Sequence, residues 1–154
     1  LAQQSREDCV KQIRLVTIVV VTLAAPFMRF NSYMTTQNDR DQALQLATVL
    51  HQQMAAGDID GIYNDADPAL KEKVNLEQHR AFFSRIARKV GSPMDCRLGE
   101  TQVRWALLTK QIRTQCTTQF SGNATEVETL TWSQTGDQYH LYYYYIDPRG
   151  ATGP

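Results

Sequence analysis

Apolar residues recur every three or four positions from Ala43 to Val90, then every second position from Met94 to Ile146. The first spacing belongs to an amphipathic helix and the second to a half-buried strand, so one switch between them confines the chain to helices followed by strands. The switch falls at Gly91-Ser92-Pro93, a sequence that stops a helix. Short turn sequences, Gly122-Asn123 and Thr135-Gly136-Asp137, separate the later strands. They leave no room for a crossover helix and predict an antiparallel meander. The predicted class is α+β, with three N-terminal helices packed on a bent antiparallel sheet of about four strands and a hydrophobic helix ahead of them.

Asp39 with Gln42 forms a capping pair that opens the first helix, whose apolar stripe is Ala43, Leu46, Ala47, Leu50 and Met54. Gly57 ends it, and Asp58 caps a shorter helix with Ile59, Ile62, Tyr63 and Ala66 inward, broken near Pro68. After a partly helical stretch around Lys71, Asn75 with Gln78 caps the third helix, which sets Leu76, His79, Phe83, Ile86 and Val90 on one face. In the sheet, Met94, Cys96 and Leu98 share one phase and Val103, Trp105 and Leu107 the other, so a bulge near Gly99 and Glu100 is expected to bend it. From Ile112 to Phe120 apolar or small residues alternate with Gln and Arg, giving a strand with one wet face. Strands from Val127 to Trp132 and from Tyr139 to Ile146 complete the set.

Residues 15–28 read LVTIVVVTLAAPFM, uncharged, with Lys11 and Arg14 before them and Arg29 after. Basic residues ahead of an apolar run predict that its N-terminal side stays in the cytoplasm while the following domain is exported. The run is short against the roughly 20 residues a spanning helix needs, and the small residues before Ala25 and Pro26 also suit a cleaved signal peptide. The expected organisation is residues 1–30 as tail and signal anchor or signal peptide, 31–38 as linker, 39–147 as the domain and 148–154 as a flexible tail. The membrane is then a partner through residues 15–28 if they are retained. Of 16 basic and 16 acidic residues, Arg6, Lys11, Arg14 and Arg29 against Glu7 and Asp8 fall in the first thirty, leaving 12 against 14 from Asp39 onward. A balance of that sign does not suit nucleic acid.

Cys96 and Cys116 lie on successive predicted strands, and an exported domain permits a disulfide. A turn near Thr109 sets Cys116 opposite about residue 102, so the bond requires a register shift; a disulfide and two buried thiols both stay open. Cys9 is expected to be cytoplasmic and unpaired. Asp58-Ile59-Asp60-Gly61 with Asp65 and Asp67 lacks a third oxygen ligand before the Gly and has Ala69 where a calcium loop needs Glu, so helix capping explains Asp58 better. His51, His79 and His140 have no metal-ligand spacing, and Ser84 has no nucleophile-elbow context. No metal and no cofactor are expected. Arg85, Arg88 and Lys89 form a solvated helix face. Tyr142 to Tyr145 send aromatic rings to both sides of the last strand, and exposed aromatic patches mark partner surfaces.

The order of elements, with Thr118-Gln119-Phe120, Glu128-Thr129-Leu130, the Gly136-Asp137 turn and Tyr144-Tyr145-Ile146, resembles the cone-shaped α+β superfamily of nuclear transport factor two, ketosteroid isomerase and the SnoaL-like proteins. Within it the chain looks most like small exported bacterial domains of unknown function. The resemblance spans residues 39–147. It implies a pocket between sheet and helices, for which Tyr63, Phe83, Trp105 and Trp132 are the candidate lining, and an open sheet face that dimerises or binds a partner protein, for which Tyr142 and Tyr144 are the candidates. The first functional expectation is a non-enzymatic accessory or interaction module at the outer face of a bacterial inner membrane, or periplasmic or secreted after cleavage. The alternative is a small-ligand or isomerase-type site, with Tyr63 as donor and Asp65 or Asp95 as base.

Overall fold

The structure is a computed structural model that describes residues 35–106 and 109–147. The hydrophobic segment 15–28, Cys9 and the tail 148–154 lie outside the described residues. Helix α1 spans Gln37–Ala56. It begins two residues before Asp39, because Thr36 takes the cap and Asp39 occupies the third helical position. Thr36 Oγ1 accepts from the Asp39 amide at 3.2 Å, and an Asp39 carboxylate oxygen accepts from the Thr36 amide at 2.9 Å. Gly57 ends α1 at φ 74°, a left-handed conformation that glycine adopts without a Cβ clash.

Helix α2 spans Ile59–Asn64, and Asp58 caps it through the Gly61 amide at 3.0 Å. The stretch around Lys71 is a full helix, α3, over Pro68–Lys73, so the described residues hold four helices rather than three. Pro68 starts α3 instead of only breaking α2, since a first-turn N–H has no intrahelical acceptor to lose. Helix α4 spans Leu76–Val90, with the reciprocal Asn75 and Gln78 cap in place.

Strands β1 (Pro93–Ala106), β2 (Thr109–Phe120), β3 (Thr125–Thr135) and β4 (Gln138–Asp147) form one antiparallel sheet in the order β1-β2-β3-β4. The register of β1 against β2 shifts between Leu98 and Thr101, where the bulge was expected. Ala106 pairs with Thr109, so the hairpin closes earlier than a turn at Thr109 would allow and Cys116 lies opposite Leu98, not residue 102. A further shift separates the Thr131–Tyr143 pair from the Trp132–Leu141 pair and leaves Tyr142 as the extra residue of a bulge in β4.

The helices cover one face. Ala47, Leu50, Ile62 and Ala66 pack on Cys116, Leu130, Trp132 and Leu141, while Phe83, Ile86 and Val90 of α4 pack on Phe120. Each such aliphatic or aromatic side chain contributes about 1.5–3 kcal/mol on leaving water. The Gly122 amide donates to the Val90 carbonyl at 3.0 Å and ties the end of α4 to the β2–β3 turn. A Cβ at Gly122 would lie 2.6 Å from that carbonyl oxygen, so the approach requires glycine. On the other face Arg113, Gln115, Thr117 and Gln119 are exposed.

Candidate functional site: an aromatic cleft beside a buried carboxylate

Asp67 fixes α3 to the sheet. Its amide donates to the Leu141 carbonyl at 2.9 Å, Ser133 Oγ donates to one carboxylate oxygen, and the other accepts from the Ala69 amide at 2.7 Å. With α3 held there and α4 packed on Phe120, a cleft of about 530 Å³ remains between these two helices and β4. Leu70, Val74, Phe82, Phe83, Leu141 and Tyr144 supply its apolar wall. Phe82 stands edge-on to Phe83 and to Tyr144, with centroids 5.3 and 5.7 Å away, and Phe83 tilts against Tyr144 at 5.2 Å. Aromatic edges meeting faces in this way hold rings at defined angles.

His79 also forms part of the wall. Its ring lies between Tyr63, at 5.3 Å, and Phe83, at 4.7 Å, and only 4% of its surface is exposed. Nε2 is buried and has no hydrogen-bond partner among the described residues. Burial holds the imidazole pKa below its ordinary value of 6.5, against an opposing pull from the Asp60 carboxylate, so the ring favours the neutral form. Lys73, Gln78 and Arg85 complete the rim with Tyr142 and Tyr143, and no Asp or Glu lines the cleft. Lys73 Nζ lies 5.6 Å from the Tyr142 ring centroid.

Behind Tyr144 sits Glu128, fully buried on β3. Tyr144 OH donates to Oε1 and Thr118 Oγ1 donates to Oε2. His51 Nε2 of α1 is 2.8 Å from Oε2 but lies off the hydrogen-bonding direction, so this is a close contact and not an aligned bond. Burial, and then the neighbouring Glu128 charge, push the Tyr144 phenol well above its usual value, which keeps it protonated. Cys116 is the cross-strand partner of Glu128, and Cys96 is the partner of Thr118. Cys96 and Cys116 are joined by a disulfide, with Cα atoms 5.4 Å apart on the diagonal of the β1–β2 ladder. The earlier turn together with the bulge brings the two residues within reach.

The predicted site residues separate. Phe83 is in the cleft wall, while Trp132 is a core side chain at 3% exposure. Tyr63 supports His79 from behind and is not among the lining residues. Trp105 is 57% exposed and does not line a pocket with the others. Its cross-strand partner Lys110 pairs with Asp39 at the start of α1, and the described helix layer reaches no further along β1. Asp65 and Asp95 are exposed, so neither is a base within the cleft. Asp60 is bound by Arg80, which links α2 to α4.

Tyr144 does not belong to an open-face patch, whereas Tyr142 lines a groove there with Arg104, Gln111, Arg113, Thr131 and Tyr143. Leu141 points inward, and unbroken alternation would carry Tyr143 and Tyr145 in with it; the bulge at Tyr142 inverts the phase, so Tyr144 faces the helices. The rings on the open face are Tyr143 and Tyr145, 46% and 41% exposed, in register with Arg113 and Gln115 through Thr131 and Thr129.

Glu128, Thr118 and His51 are not among the site candidates read from the sequence, where they enter only as motif residues and as a histidine without metal-ligand spacing. Glu126, Glu128, Leu130 and Trp132 share one phase of β3, so an inward Leu130 and Trp132 already place both carboxylates inward. No protein-family model matches the chain, and no curated protein matches it.

Proposed function

We propose that this is an extracytoplasmic domain that binds a small, largely apolar ligand in the cleft between α3, α4 and β4. The observation that carries the reading is His79: a buried ring nitrogen without a protein partner, in the wall of an aromatic cleft whose volume suits a small molecule. Ligand sites of this kind are mostly apolar with a few placed polar groups, and about 300–1,000 Å³ in volume. A ligand hydroxyl or carbonyl at Nε2 removes the cost of leaving that atom unpaired. Binding is favoured over turnover because both oxygens of Glu128, the carboxylate next to the cleft, are already occupied by Tyr144 and Thr118. The disulfide supports an oxidising compartment, in keeping with export by segment 15–28, retained as an anchor or removed. The helix-then-sheet order supports kinship with the cone-shaped superfamily.

The test is a titration with 2-naphthol followed by NMR of the His79 and Tyr144 rings. Both rings shift on binding, and His79→Phe weakens the affinity about tenfold through loss of the hydrogen bond. Saturating probe that moves neither ring overturns the reading.

A second reading, a self- or partner-binding face, is favoured by the exposure of Tyr143 and Tyr145. Changing both to serine and measuring size by sedimentation tests it. An unchanged mass in a protein that was monomeric to begin with counts against self-association through this face.

A further inference from the structure

The cleft carries a charge asymmetry beyond what holding an apolar body requires. Lys73 and Arg85 both stand in its rim, Gln78 and His79 are its other polar members with the two tyrosines, and no carboxylate is present. Among the described residues neither cation is in an ion pair; Arg80 pairs with Asp60 and Lys110 with Asp39, and His51 lies beside Glu128. Two exposed cations at the mouth of a concave wall bias its rim towards a positive potential. The deeper wall is aromatic on three sides, with Phe82 nearly perpendicular to both Phe83 and Tyr144, at 87° and 80°. Rings crossed in this way present both edges and a face to a flat guest. His79, neutral and unpartnered, adds one hydrogen-bonding position inside the rim.

We propose that the ligand is a planar aromatic monoanion, an aryl carboxylate by preference, with its rings against Phe82, Phe83 and Tyr144, its charge at Lys73 and Arg85, and a hydrogen-bonding atom at His79 Nε2. The assignment rests on the ligand-binding reading above and specifies the class of molecule that site takes. A carboxylate matches the fork of Arg85 and the point charge of Lys73, whereas an aryl amine would be repelled by both. A neutral aryl amide keeps the ring contacts and the bond to His79 and loses only the attraction at the rim.

The experiment compares 2-naphthoate with 2-naphthamide on the full chain by calorimetry, with NMR of the His79 ring to locate each probe. Expected is about fivefold tighter binding of the carboxylate, a modest factor because both cations are exposed and solvent-screened. The double variant Lys73→Gln, Arg85→Gln weakens the carboxylate more than the amide and so removes that margin. Both side chains are exposed, and an amide-proton NMR spectrum like that of the wild type verifies that the variant keeps its fold. Equal affinities for the two probes, or a margin that survives the double variant, overturn the anion assignment while the cleft still binds. If neither probe moves the His79 ring, the ligand-binding reading fails with it, and a cleft covered by another segment of the chain would be one form of that result.

Discussion

Glu128 and His79 are both buried and titratable; Tyr144 bonds the first through its hydroxyl and packs on Phe83, the ring beside the second. They differ in what surrounds them. Glu128 has no exposed surface and two hydroxyl donors, with an imidazole against it; His79 has 4% exposure, two ring faces and an unpartnered Nε2. The difference follows from charge. An unpaired oxygen on a buried carboxylate carries a large penalty, which Glu128 avoids and Glu126, with Oε2 unpartnered among the described residues, does not, whereas a neutral imidazole with one unpaired nitrogen carries a smaller penalty that packing can offset. The first group organises the interior, and the second leaves a polar atom available in the wall of a cleft.

The strongest way to break this contrast is to remove the carboxylate. Glu128→Ala strands Tyr144 OH, Thr118 Oγ1 and His51 in the core and is expected to cost about 3–5 kcal/mol, as when one partner of a buried network is deleted. Glu128→Gln keeps the volume and part of the hydrogen bonding and should cost less, about 1–3 kcal/mol. Urea denaturation measures both. A loss below about 1 kcal/mol for the alanine variant would mean that the Glu128 cluster holds the fold no more firmly than His79 does.

The same neighbourhood gives the next effect. Cys96 and Cys116 close a loop of sequence separation 20, and replacing both with alanine is expected to lower stability by about 2–3 kcal/mol. Thermal unfolding of the oxidised protein against the double variant checks it. A result near zero would show that the β2–β3 ladder keeps Thr118 placed against Glu128 without the cross-link to β1.

The sequence made the scaffold legible and half-hid the site, for reasons specific to each element. The change of period at Gly91-Ser92-Pro93 and the Gly136-Asp137 turn are local signals, and the helices, the strands and their antiparallel order followed from them. Thr36 lost the cap to Asp39 in the reading because both types cap well and only tertiary placement, here the Lys110 ammonium on Asp39, distinguishes them. The resemblance places Trp105 in a pocket, but strand phase says which face a residue is on and not whether a helix covers it. Tyr144 faces the helices because a single extra residue, Tyr142, inverts every side chain after it. Glu128 could have been found from its phase with Leu130 and Trp132. The pairing of its oxygens with Thr118 and Tyr144 depends on the β2–β3 register and on the bulge in β4, and could not.

On the His79 side the contrast predicts a small effect. His79→Phe keeps a ring between Tyr63 and Phe83 and deletes an unpaired polar atom, so stability should change by less than about 1 kcal/mol and can rise. This stands against the tenfold loss of ligand affinity expected for the same variant. Thermal unfolding without ligand measures the first quantity. A loss as large as that of Glu128→Ala would show that the imidazole is structural and would remove the contrast.

Asp39 is the intermediate case and carries the smallest expected effect. Its carboxylate side chain is 6% exposed and that of its partner Lys110 is 18% exposed, at the end of α1 where solvent reaches the pair. Burial pushes the Asp39 pKa up, but the Lys110 hydrogen bond, with the amide and hydroxyl of Thr36, brings it below the ordinary 3.8. A folded pKa below the unfolded one means that the unfolded chain binds the proton more readily. The stabilisation is therefore fully present above pH 3.8 and is lost as the pH falls through the folded value. Lys110→Met should reduce stability by about 1 kcal/mol near neutral pH, since partial exposure screens the pair. That difference from the wild type should shrink as the pH falls below 3.8, where the wild-type carboxylate takes up its proton. Denaturation midpoints of both proteins across that range measure it. A difference constant with pH would show that Lys110 contributes through the packing of its aliphatic stem and not through the charge of Asp39.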